Sequence, residues 1–104
     1  MTKIQRALST ALFAGAALGA TAAQAAEDPQ VRAWAATCAT CHGTNGASAT
    51  GIPAIAGLDS ERAYTLLKEF KEGTRPATVM HQHAKGYTDE ELKSLAAYFS
   101  RQRP

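Results

Sequence analysis

The chain has two cysteines, and they stand close together: the stretch TCATCHGTNG, Thr37 to Gly46, separates Cys38 from Cys41 by two residues and follows them at once with His42. On a helix, positions three and four apart share a face, so both thiols and the imidazole can address one flat object lying against that turn. A porphyrin suits this arrangement. Each thiol adds to a vinyl group to form a thioether, and the imidazole ligates the iron from the same side, which is the chemistry that C-x-x-C-H signals. On this reading Cys38 and Cys41 bind the cofactor covalently and His42 is the proximal ligand of one haem c.

Other uses of these residues fit less well. A disulfide between Cys38 and Cys41 closes too small a loop to remove much chain entropy. A thioredoxin-like redox pair needs a βαβ setting, and the chain has no strand pattern. A structural zinc site needs four ligands, normally in two closely spaced pairs. Two thiols, His42 and one distant histidine could make four, but there is no second close pair.

An electron carrier needs a sixth ligand to close the iron. Met80 is the one methionine beyond Met1, and its soft thioether stabilises Fe(II) and raises the potential. His81 and His83 compete with it for that position. The proximal histidine also needs an acceptor for its other ring nitrogen. Pro53 cannot donate a backbone hydrogen bond, but its carbonyl can accept one, and it is assigned that role. Arg75 is read as a propionate partner or an ordinary solvated arginine. Tyr64, Tyr87 and Tyr98 are read as packing residues or propionate partners.

These groups must be positioned by a small scaffold. Asp28 followed by Pro29 gives an N-cap and a proline at the first helical position, predicting a helix over about Pro29–Cys41. Val31, Trp34, Ala35 and Cys38 fall on one face of it, with Trp34 read as core. GTNGASATGIPAIAG, Gly43–Gly57, reads as an irregular loop. The next segment starts at a cap formed by Asp59 or Ser60 and ends at Gly73, with Ala63, Leu66, Leu67 and Phe70 as its buried apolar stripe. Thr74–Tyr87 reads as a second irregular stretch and carries Met80. Thr88 and Glu91 then form a capping box ahead of Leu92, Leu95, Ala96 and Phe99. Three helices and two long loops around one core are expected, all-α in class.

The N-terminal quarter differs in kind. Lys3 and Arg6, the apolar run Ala7–Ala20 and the small-x-small AQA at Ala23–Ala25 read as an export signal cleaved after Ala25, with one domain over 26–104. The apolar run falls short of the roughly 20 residues that span a bilayer, so no stable membrane insertion is expected. Export places the domain in the periplasm. Removing Lys3 and Arg6 from the eleven Lys and Arg leaves nine, against nine Asp and Glu. That balance argues against nucleic acid or an anionic membrane as partner, since both select for excess positive charge. The remaining 79 or so residues lie near the size where an apolar core alone supplies only about 3–5 kcal/mol. A buried haem face supplies what the chain lacks.

Over nearly all of this domain the sequence resembles the short class I cytochromes c of bacteria, through CATCHG (Cys38–Gly43), GIPAIAG (Gly51–Gly57), FKEGTRPATVM (Phe70–Met80) and AKGYTDEELKSLAAYF (Ala84–Phe99). The resemblance implies the small class I cytochrome c fold with loops wrapped around one covalent haem. It also implies thioethers at Cys38 and Cys41, His42 as proximal ligand held by the Pro53 carbonyl, and Met80 as distal ligand. The segments around Met80 and AKGYTDEEL further resemble the cytochrome subunit of flavocytochrome c sulfide dehydrogenase, which implies a flavoprotein partner. With both axial positions filled and no nucleophile–base or paired-acid arrangement elsewhere, no catalysis by this chain alone is expected. A free cytochrome c shuttle between respiratory or photosynthetic partners is the alternative. A haem sensor or peroxidase-like protein with an exchangeable sixth ligand is the alternative of another class.

Overall fold

The computed structural model describes residues 27–104. The expected leader and its cleavage point after Ala25 lie outside the described residues.

Four helices follow one another: α1 over Pro29–His42, α2 over Ser60–Glu72, α3 over Met80–Lys85 and α4 over Asp89–Ser100, with a 3-10 turn at Thr44–Gly46. Among the described residues there is no strand. The caps lie where the sequence places them. Asp28 accepts from the Gln30 N–H at 2.8 Å and Asp59 from that of Arg62 at 3.0 Å. The capping box closes in both directions, the Thr88 N–H to Glu91 at 2.8 Å and the Glu91 N–H to Thr88 at 3.2 Å. Gly73 stops α2 in the left-handed conformation at φ +78°.

Two expectations are corrected. The first loop is not irregular throughout, because Thr44–Gly46 winds into the 3-10 turn and the Gly46 carbonyl accepts from the Ile55 and Ala56 N–H groups at 2.8 and 3.1 Å. The second loop contains α3, so Met80 is the first residue of a short helix rather than part of an irregular stretch. Six residues between Val79 and Gly86 are too few to show an apolar period, and packing against α2 stabilises a helix that would be marginal alone.

α4 is the centre of the core. Leu92, Leu95, Ala96, Tyr98 and Phe99 are buried along it, and Leu92 is fully so. α1 and α2 each pack chiefly on α4, and α3 packs on α2. Val31 and Ala35 of α1 join Leu95, Tyr98 and Phe99, with Trp34, Cys38, Ile55 and Tyr87 half-buried around them. Trp34 is therefore at the core's margin, edge-on to Tyr87 with ring centroids 5.9 Å apart.

Candidate haem site

The apolar stripe of α2 is only partly covered. Ala63 is buried, whereas Leu66, Leu67 and Phe70 are half-buried, as is Met80 on α3. Ile52 and Val79 are exposed at 41% and 54%. A domain of this size normally covers such side chains with its own core. Their incomplete burial, beside two unpaired thiols, fits a chain that folds around a large apolar group.

The thiols lie on the last turn of α1, one step from its end at Gly43. Gly43 takes φ +83° and turns the chain sharply: a Cβ there would meet the Ser48 Cα at 2.8 Å. Cys38 is half-buried and Cys41 exposed. Burial pushes the Cys38 thiol up, against a weaker opposing pull from the Thr37 hydrogen bond.

His42 closes α1, and its Nδ1 lies 2.6 Å from the Pro53 carbonyl oxygen. A carbonyl oxygen only accepts, so Nδ1 carries the proton and donates it. Nε2 then keeps its lone pair, the form in which imidazole binds a metal. The loop that brings Pro53 back to α1 is fastened through Gly46. A Cβ on Gly46 would come within 2.7 Å of Ile55 and 2.8 Å of Phe99, so only glycine allows this approach.

Arg75 donates from Nε to Glu69 at 2.7 Å, and its guanidinium lies 5.9 Å from the Phe70 ring centroid. Tyr98 is buried in the core, while Tyr64 lies under the Lys93 ammonium at 5.4 Å. The Tyr87 hydroxyl lies 3.5 Å from that of Thr37, on the same turn as Cys38. Sequence reasoning does not single out Thr37, which carries no spacing signal of its own. His81 is half-buried and His83 exposed.

Among the described residues no three His, Cys, Asp or Glu side chains converge as a protein-only metal cluster requires, so the zinc alternative lacks its ligands. A shallow cavity of about 340 Å³ opens beside Ala35 and Ala39, and none of Cys38, Cys41, His42 or Met80 lines it. What the site offers is two thiols for attachment, one imidazole in the metal-binding tautomer and a half-covered apolar wall. Haem c fits that donor set.

The family model described as cytochrome c matches residues 31–102. Over 63 residues, 61% of this chain, the sequence is 52% identical to the cytochrome subunit of sulfide dehydrogenase of Chlorobaculum tepidum, and the match spans 57% of that protein. It is 33% identical over 103 residues, 97% of this chain, to the thiosulfate dehydrogenase electron acceptor of Thiomonas intermedia, where it spans 46% of the relative. Cytochrome c-554(548) of Halomonas halodenitrificans is 34% identical over 70 residues, 64% of this chain and 84% of that protein. The chain thus spans about half the length of the first two relatives.

Proposed function

This chain belongs to the cytochrome c family and is an electron-transfer protein carrying covalent haem c, and from that premise we propose that it serves in the periplasm as the cytochrome subunit of a sulfide dehydrogenase, taking electrons from a flavoprotein. The observation that carries the reading is the 52% identity over 63 residues to a protein of that name. The leader-like residues 1–25 support export, and no helix among the described residues is long and apolar enough to cross a membrane.

Haem c supplies a one-electron Fe(III)/Fe(II) couple. The chain's own residues hold and tune it. Cys38 and Cys41 would hold the macrocycle through thioethers, and His42 would present Nε2 to the iron. The Pro53 carbonyl fixes the imidazole's tautomer and plane by accepting from Nδ1, which also makes the ring a stronger donor. Met80 would supply the thioether on the other side of the group. Its thioether would favour the reduced state, and with His42 and Met80 both engaged the group would serve electron transfer and not substrate binding. The half-buried Leu66, Leu67 and Phe70 would shield the group from water, which would keep reorganisation on electron transfer small.

A permanent subunit can bury about 2,000 Å² or more with its partner, whereas a shuttle that must dissociate quickly buries under about 1,200 Å². Size-exclusion chromatography of native extract at high salt, followed by sulfide addition to the haem-containing fraction, separates the two. Haem that elutes with a flavin protein and is reduced by sulfide supports the subunit reading. Haem that elutes only as a small monomer, reduced by sulfide no faster than unrelated cytochromes, makes the chain a free shuttle.

A further inference from the structure

The segment that carries Met80 is fastened at both ends to one helix, α2, by side chains that lie within a single turn of it, Lys68 to Lys71. At the near end Glu69 acts twice. Its backbone carbonyl accepts from the N–H groups of Thr74 and Arg75 at 3.0 and 3.3 Å, and its carboxylate accepts from Arg75 Nε at 2.7 Å. At the far end Asp89, the first residue of α4, has one carboxylate oxygen on Lys68 Nζ at 2.8 Å and the other on Lys71 Nζ at 3.0 Å. Lys68 also reaches Glu72 at 3.0 Å, which keeps its ammonium on that side of the helix.

Between these two clasps, residues 76–86 make backbone hydrogen bonds, such as Gln82 and His83 N–H to the Val79 carbonyl, and among the described residues no side-chain ones. α3 touches the rest of the fold mainly through its packing on α2. The far clasp lies at the surface, with the lysine side chains 28% exposed and that of Asp89 46%. Its two ammonium groups share one carboxylate, so Asp89 is the residue on which that end depends.

We propose that Asp89, gripped by Lys68 and Lys71, is a positioning residue for the segment 73–89, and that it holds Met80 against the distal side of the haem. This rests on the reading of Met80 as distal ligand. Without the far clasp, residues 80–88 keep the packing of α3 and α4 on α2, the Tyr87 contacts with Thr37 and Trp34 and the Glu69 end, but lose the side-chain tie that fixes the start of α4 to α2. The segment then spends more time displaced, and an external ligand reaches the iron more easily. The helix propensity of α4 is not at issue, because Thr88 and Glu91 cap it independently.

The test is the affinity of imidazole for the ferric holoprotein, read from the Soret shift. Asp89→Asn and the double substitution Lys68→Gln with Lys71→Gln should each raise that affinity by about three- to tenfold, the scale on which one or two ion pairs act. Adding Asp89→Asn to the lysine double variant should change it little further. Asp89→Glu should restore most of the wild-type value. Glu90→Gln is the control: it removes an equal charge from the first turn of α4, but Glu90 faces Lys93, not the clasp. If Asp89→Asn and Glu90→Gln both leave the affinity within twofold of wild type while Met80→Ala raises it, Asp89 does not position the segment. If Met80→Ala itself changes nothing, the distal assignment fails and the proposal falls with it.

Discussion

The Nδ1 atom of His42, at the end of the first helix, lies 2.6 Å from the carbonyl oxygen of Pro53, eleven residues further along the chain. This contact decides the tautomer of the imidazole. It also ties the end of α1 to the loop that carries Pro53. In the ferrous protein the Nδ1 proton should give an NMR resonance protected from exchange. Pro53→Ala keeps the carbonyl but frees the backbone, and should cost about 0.4–1 kcal/mol of stability while speeding that exchange. A wild-type proton exchanging as fast as free imidazole would contradict the contact.

Covalent attachment depends on two thiols of unequal exposure on one turn of helix. Cys38→Ala together with Cys41→Ala should abolish attachment, so that acid–organic extraction strips all haem from whatever protein accumulates. The same variant should fold poorly, because Leu66, Leu67 and Phe70 are only half-buried by the protein itself. Retention of haem in the wild type through that extraction is the matching observation.

Gly46 tests the loop. Its φ is +81°, and two side chains lie within 2.8 Å of the point a methyl carbon would take there. Gly46→Ala should therefore destabilise the domain by about 1–3 kcal/mol, measured by thermal or denaturant unfolding of the holoprotein. Gly51→Ala, where a Cβ meets nothing within 4 Å, should stay close to wild type.

The far clasp has a pH signature. The hydrogen bonds it accepts from Lys68 and Lys71 hold the Asp89 carboxyl below its usual value, and those Lys68 donates to Asp89 and Glu72 raise the lysine above its usual range. A depressed carboxyl contributes stability that is present above its unfolded pKa, about 4, and is lost as pH falls through the lower folded value. A raised lysine contributes below its unfolded pKa, about 10, and is lost as pH rises through the higher folded value. The stability difference between wild type and Asp89→Asn should therefore be flat between about pH 5 and 9 and shrink on either side. A difference that grows as pH falls below about 4 would have the wrong sign.

Much of the fold is legible in the sequence because it is local. Asp28, Asp59, Gly73 and the Thr88–Glu91 box are short-range signals, and each cap sits where its residue types require. The C-x-x-C-H group likewise carries its chemistry in its spacing. α3 is not legible, since one and a half turns carry no period and its stability comes from α2. The 3-10 turn depends on Gly46 meeting Ile55 and Phe99, a long-range approach that no local pattern announces. The apolar stripe of α2 reads as buried, yet among its four members only Ala63 is. A periodic pattern shows that a face is apolar, not whether protein or haem covers it. The clasps between α2 and residues 75 and 89 are equally invisible, because a charged residue on a predicted helix reads as solvated until its partner is located.

Closure of the iron by His42 and Met80 is tested most directly by the absorption spectrum of the purified ferric protein. Wild type should show the weak far-red band of an Fe(III)–thioether bond, and Met80→Ala should lose that band and shift the reduction potential downward. A wild-type spectrum without the band, together with a change on His81→Ala or His83→Ala, would contradict it and make the iron bis-histidine ligated.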